Sequence, residues 1–282
     1  MSALNLDHVG IAVHDLDAAA KQYHRLGFQL TPRGYHTLPA KADGERPRVG
    51  SGNNCAMLER GYIELIGIVD PNYVGRLRDD LARYEGLHIV AFGTTDSHAT
   101  IQALRNSGVP GAAARLLERP IEHAGKTEIA RFEIIDFGDV LPEIYSFAIR
   151  HVTPEALWKP ELLRHPNRAR SLENLTVTVA DVGEFAARLG RTIGSEAKGT
   201  TARTIELDRG KVRVVDREWL TANGRTTTLP LPAIVAMTLG TSDLETTADV
   251  LSKASIDFQR DGKSLSVAPA DACGVTIEFV EV

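Results

Sequence analysis

The stretch LNLDHVGIAVHDLDAAAKQYHRLGF, residues 4–28, decides the reading of the fold. Leu6 to Val13 is an apolar run of strand length, and Asp15 follows it. From there Leu16, Ala19, Ala20, Tyr23 and Leu26 recur at steps of three and four, which puts one apolar stripe on a helix face. Asp15 suits the N-cap, and Gly27 suits the left-handed residue past the last turn. A strand followed by an amphipathic helix is therefore expected. His8 fits poorly in that strand; a histidine alone on an apolar strand is ordinarily a hydrogen-bonded core residue.

Three more strands are expected to complete the unit, at Phe28 to Leu30, Cys55 to Leu58 and Tyr62 to Val69, with loops such as KADGERPRVGSGNN (41–54) between them. The order is βαβββ. It returns at GLHIVAFGTTDSHATIQALRNSG (86–108), with Asp96 or Ser97 as cap and strands around AAARLL, EIARFEII and PEIYSFAI. Third and fourth copies begin at LENLTVTVADVGEFAARLG (172–190), capped by Asp181, and at AIVAMTLGTSDLETTADVLSKA (233–254). RHVTPEALWKPELLRHPNRARS (150–171), with three prolines and dense charge, reads as a connector. The expected organisation is two modules in 1–150, a connector at 151–170 and two modules in 171–282.

The chain has 282 residues, 43% of them hydrophobic, with 32 basic and 37 acidic side chains mixed along it. No basic run tracks a phosphate backbone, so nucleic acid is not an expected partner. No apolar run approaches the ~20 residues that cross a bilayer, and Asp7 and Asp15 stand where a secretory signal needs a basic start and an apolar stretch. A cytoplasmic protein without a membrane partner is the expectation. Cys55 and Cys273 are too few for a disulfide framework or a thiolate zinc site and read as small apolar residues.

The first two copies share more than shape. His8 and His88 lie on their first strands, and Glu64 in YIELIG and Glu143 in PEIYSF on their last. His8 and Glu64 are 56 residues apart (64 less 8), His88 and Glu143 55 (143 less 88). Singly, each glutamate reads as a solvated edge residue or an ion-pair partner. Jointly, two carboxylates inside apolar runs need compensation when buried, and a divalent cation held with two imidazoles supplies it. His8, Glu64, His88 and Glu143 are thus the candidate metal ligands, brought together by a pseudo-twofold axis.

The repeated unit with His on its first strand and Glu on its last resembles the vicinal oxygen chelate superfamily, and LDHVGIAVHDLDAAAKQY, YIELIG and HPNRARSL resemble its glyoxalase-like branch, related to glyoxalase I and the extradiol dioxygenases. The resemblance implies an α+β fold of four βαβββ modules in two paired-module domains, each pair cupped around one divalent-metal position. It places His8, Glu64, His88 and Glu143 at the ligand positions of the glyoxalase I type. Asn174 and Val235 stand at the histidine positions of the C-terminal copies, where only Glu278 remains of the carboxylates, so that half is expected to have lost its site.

Such a donor set suits Ni, Co, Zn, Fe(II) or Mn. The resemblance implies a metalloenzyme, a glyoxalase-type lyase or isomerase acting on a small vicinal-oxygen substrate through an enediolate, with Glu64 or Glu143 as the base. An Fe(II) dioxygenase holding iron with His8, His88 and Glu143 is one alternative, and a metal-free binding or sequestering protein another. Tyr62 and Tyr145 share the inward parity of the glutamates and are candidate substrate contacts. Asn53, Asn54 and Arg131 are further candidates, although the asparagines also suit a turn and the arginine a solvated face. The other histidines, among them His36, His151 and His165, read as surface or turn residues. A small-molecule substrate is the expected partner, and a homodimer is left open.

Overall fold

The computed structural model describes residues 4–38, 41–123, 125–142 and 144–282, with the side chains of His123 and Asp139 outside that description. The first module comprises β1 (Asn5–Val13), α1 (Leu16–Arg25), β2 (Gly34–Thr37), β3 (Arg48–Met57) and β4 (Tyr62–Ile68). A short helix, α2 (Arg76–Arg83), leads to the second, formed by β5 (Gly86–Gly93), α3 (Ser97–Asn106), β6 (Ala114–His123), β7 (Lys126–Asp136) and β8 (Tyr145–His151). The third contains β9 (Ala169–Thr178), α4 (Val182–Ile193), β10 (Ala197–Lys198), β11 (Arg203–Glu206) and β12 (Lys211–Val215). After α5 (Arg217–Ala222) comes the fourth, β13 (Ala233–Thr241), α6 (Leu244–Lys253), β14 (Phe258–Asp261), β15 (Ser264–Val267) and β16 (Thr276–Glu281). The fold is α+β, four βαβββ modules in two pairs.

Each module helix starts in the same way. The carboxylates of Asp15, Asp96, Asp181 and Asp243 accept hydrogen bonds from first-turn backbone N–H groups that the helix itself leaves unpaired. Two strand assignments differ from expectation. Phe28 to Leu30 is not a strand: Phe28 turns in after α1 as a core side chain beside Tyr23 and Phe279. Residues 48–54, expected within a loop, belong to β3, where β2 lies so close that a Cβ on Gly52 would come 2.9 Å from the Gly34 carbonyl oxygen.

Within each pair the first strands run antiparallel, β1 with β5 and β9 with β13, and each pairs in parallel with the last strand of its own module. The pairs join at Ile234 and Leu87 into one continuous sheet. The helix side of the sheet buries a single apolar cluster that runs from Leu6 and Val9 through Leu172 and Leu239 to Phe279. We propose the segment between β8 and β9 as the boundary between two paired-module halves that share this core.

One irregularity decides which side chains reach the other, concave face. All four first strands carry a one-residue bulge: Asp7 is the extra residue in β1, His88 in β5, Glu173 in β9 and Val235 in β13. The flanking residues Leu6 and Val9, Leu87 and Val90, Leu172 and Leu175, and Ile234 and Met237 all enter the helix-side core. The two residues between each flanking pair therefore turn toward the concave side.

Candidate active site in the first module

Strand register identifies the equivalent positions. His8 pairs with Ala91 and Gly10 with Ile89, so the twofold relation carries His8 onto Ile89 and Asp7 onto His88. On the last strands, Tyr62 is opposite His8 and Glu64 opposite Gly10, while Tyr145 is opposite Ile89 and Phe147 opposite Ala91. Ile89 and Phe147 thus occupy in module two the places of His8 and Glu64 in module one. In the C-terminal half these places hold Asn174 with Arg213 and Ala236 with Glu278. Ala236, not Val235, stands at the histidine position of the fourth copy.

The expected four-ligand site does not assemble around His88. Its ring stacks on Tyr84 at 4.0 Å, its Nε2 lies 2.9 Å from the Tyr84 carbonyl oxygen and its Nδ1 3.7 Å from Asp80 within α2. Burial holds its pKa below the usual histidine value, and Asp80 opposes that shift. The same helix packs Leu77 and Leu81 against Ala12, Ile66 and Ile89, and so occupies the axis where the two modules would share a metal. Glu143 lies outside the described residues. Among the expected ligands within the described residues, His8 and Glu64 remain on one concave surface, and that pair alone does not make the four-donor set.

Module one instead bears a cavity of about 380 Å³. Its floor is Asn53, Cys55 and Met57 of β3 with Tyr62 and Glu64 of β4; its far wall is Arg119 to Glu122 of β6, and Leu157 and Leu162 of the connector close it. Glu64 is 8% exposed and accepts a 2.6 Å hydrogen bond from Asn53 Nδ2. His36 of β2 sits 3.4 Å from Glu64 Oε1, with its Nδ1 2.8 Å from Ser51 Oγ. Burial pushes the Glu64 carboxyl up, but His36, with smaller contributions from His8 and the Arg119 guanidinium, outweighs it and brings it down to about 2. Burial and Arg119 hold His36 below its ordinary value, so a neutral imidazole with Nε2–H toward Glu64 satisfies both groups. Arg46 pairs with Glu118 and Arg33 with Asp17. Arg119 has no carboxylate partner among the described residues and lies over the Phe132 ring, 6.0 Å from its centroid.

Behind Tyr62 lies a second polar group. The Asp7 carboxylate Oδ1 is 2.7 Å from His8 Nδ1 and 3.1 Å from Nε2 of His151 at the end of β8. Burial raises the Asp7 pKa, but the hydrogen bonds from His151 and His8 more than reverse this and hold the carboxyl well below its usual range. His8 stacks on Tyr62 at 4.2 Å, and Trp158 of the connector meets both Tyr62 and His151 edge-on.

The remaining candidates divide. Tyr62 lines the cavity, and burial keeps its phenol protonated well above the ordinary range. Tyr145 does not line it: its hydroxyl donates to Asp136 at 3.3 Å, and Arg76 of α2 lies over its ring. Asn54, on the opposite parity from Asn53, bonds Thr31 and Arg33, and Arg131 is ion-paired with Glu118 outside the cavity. Sequence reasoning missed Asp7, His36, His151 and Arg119; His165, also taken for a surface residue, is 4% exposed and bonded to the Met57 carbonyl. For Asp7 a signal was present, since LDHV, LHIV, LENL and IVAM align the four bulges directly. His36, His151 and Arg119 have no counterpart in the repeat.

The sequence profile of the family described as "Glyoxalase-like domain" matches residues 6–193. This chain belongs to the glyoxalase-like family. The glyoxalase-like protein is similar in fold to a hypothetical protein from Staphylococcus aureus, with a TM-score of 0.66 at 11% identity over 99% of this chain and 100% of that one. It is similar also to a mutant 4-hydroxymandelate synthase from Streptomyces coelicolor (TM-score 0.60, 12% identity, 100% of this chain and 93% of that one). A third likeness is to a xylose isomerase-like TIM barrel/4-hydroxyphenylpyruvate dioxygenase fusion protein (0.56, 10%, 99% of this chain and 49% of that one). The last two are members of the vicinal oxygen chelate superfamily, most of whose members are metalloenzymes. No curated protein matches the chain. None of the described helices is long and apolar enough to cross a membrane.

Proposed function

We propose that this glyoxalase-like protein is an enzyme that takes a small anionic, oxygenated compound into the module-one cavity and moves a proton at Glu64. The observation that carries the reading is the buried Glu64 carboxylate sharing a 380 Å³ cavity with the Arg119 guanidinium, which has no carboxylate partner among the described residues. Arg119 supplies the charge that recognises a carboxylate or a developing enolate oxygen. Asn53 and His36 both hold Glu64 Oε1, and Tyr62 offers a protonated hydroxyl on the same wall. Leu157 and Leu162 of the connector add apolar lining to the cavity. Proton transfer beside a carbonyl needs this set, a positioned carboxylate with a cation across the substrate from it. Lyase or isomerase chemistry of the glyoxalase type is the finer form of the proposal.

The test is a panel of small 2-oxo and 2-hydroxy carboxylates with matched neutral ketones, scored for binding and for deuterium uptake from D2O at the substrate carbon. Carboxylates should bind at least tenfold tighter than the ketones, and Glu64→Gln should bind them without exchange. Tight binding with no exchange in the wild type would identify a sequestering protein. Equal binding of ketones would mean that Arg119 does not recognise the substrate.

A further inference from the structure

We infer that Asp7, His8 and His151 form a divalent transition-metal site, offset by one strand position from the expected four-ligand set. Asp7, His8 and His151 each offer a donor atom within 4.8 Å of the others, and no other described His, Cys, Asp or Glu residues cluster this way. The present separations from Asp7 Oδ1, 2.7 and 3.1 Å, are close to the about 3.3 Å between two ligand atoms on a tetrahedral ion with metal–ligand bonds near 2.0–2.1 Å. Two imidazole nitrogens and one carboxylate oxygen select zinc, cobalt, nickel, iron(II) or manganese over magnesium or calcium.

The surroundings favour an ion. Asp7 is 5% exposed, and among the described residues its hydrogen-bond partners are the two imidazoles. A buried carboxylate converging with two imidazole nitrogens is a donor set that a divalent cation satisfies.

The site also has an entrance. A cavity of about 330 Å³, lined by Asp7, His151, Asn5, Thr94 and Arg209, reaches it. Arg209 is turned onto Asn5 Oδ1 at 2.9 Å, and Arg150, at the same opening, onto Glu133. Three protein donors leave room for water or an anionic exogenous ligand, which those two arginines would favour. The bulge produces the trio: Asp7 and His8 are adjacent in sequence yet both face the concave side, within reach of His151.

The experiment is a cobalt(II) titration of chelator-stripped full-length protein, followed by visible absorption and calorimetry and by elemental analysis of the unstripped protein. One ion per chain is expected in the wild type. His151→Phe, which keeps a ring against Trp158, and Asp7→Asn should each weaken binding at least a hundredfold, whereas Glu64→Gln and His88→Ala should bind as the wild type does. No stoichiometric binding by the wild type, binding retained in His151→Phe, or binding lost in Glu64→Gln would each overturn the inference. Should a variant fail to fold, anomalous diffraction from cobalt-soaked wild-type crystals decides by the position of the ion. The deuterium-exchange test of Glu64 reads a different residue, so either result stands without the other.

Discussion

At the scale of single residues, the site is a contest between burial and charge. The Glu64 carboxyl falls from 4.5 toward about 2 in the folded protein, so its ionised form stabilises the fold above about pH 4.5, and that contribution disappears as pH drops through 2. The shift corresponds to roughly 3 kcal/mol. Acid unfolding between pH 4.5 and 2, followed by circular dichroism, should therefore be steeper in the wild type than in Glu64→Gln. Arg119→Ala should weaken anionic ligands by about 10- to 100-fold, the worth of a charged hydrogen bond, with the melting temperature nearly unchanged because Arg119 holds no ion pair among the described residues. His88→Ala should do the reverse, leaving ligand affinity intact while removing the contacts with Tyr84 and Asp80 at a cost of about 1–2 kcal/mol in denaturant unfolding.

Among the elements, helices were legible and concave strands less so. Asp15, Asp96 and Asp181 announced their helices in the sequence because capping is local chemistry, decided within three residues. The strand over residues 48–54 was hidden by its own composition: RVGSGNN carries turn residues, and only the close approach of β2 explains why glycines serve there. The two histidines were legible as the marks of a repeat, but their equivalence was not, since spacing pairs His8 with His88 whereas the ladder pairs it with Ile89. A bulge shifts alternation by one and leaves composition untouched. The connector, expected as a linker, walls the cavity and buries Leu162 with Met57 and Tyr62, while Trp158 Nε1 donates to the Leu58 carbonyl. Trp158→Ala should cost about 2 to 4 kcal/mol of stability and open the cavity to water, read as a lower melting temperature and weaker ligand binding.

For the molecule as a whole, one apolar cluster runs under both halves, so the pairs are expected to unfold together. The two tryptophans make this measurable: Trp158 reports the first half, and Trp219, packed on Leu220 and Ala233, the second. Melting curves of Trp219→Phe and Trp158→Phe, each following the remaining indole, should superimpose once shifted to a common midpoint; transitions of different breadth or order would mean halves that melt independently. The bulge has a consequence for how such a duplicated architecture diversifies. Because every copy seats two neighbouring side chains on its inner wall, one copy can assemble a donor pair unaided, and chemistry need not straddle the symmetry axis. The others are then released from selection for ligation: Asp-His, His-Ile, Glu-Asn and Val-Ala form a series from reactive to inert, four histories of one inherited dipeptide slot.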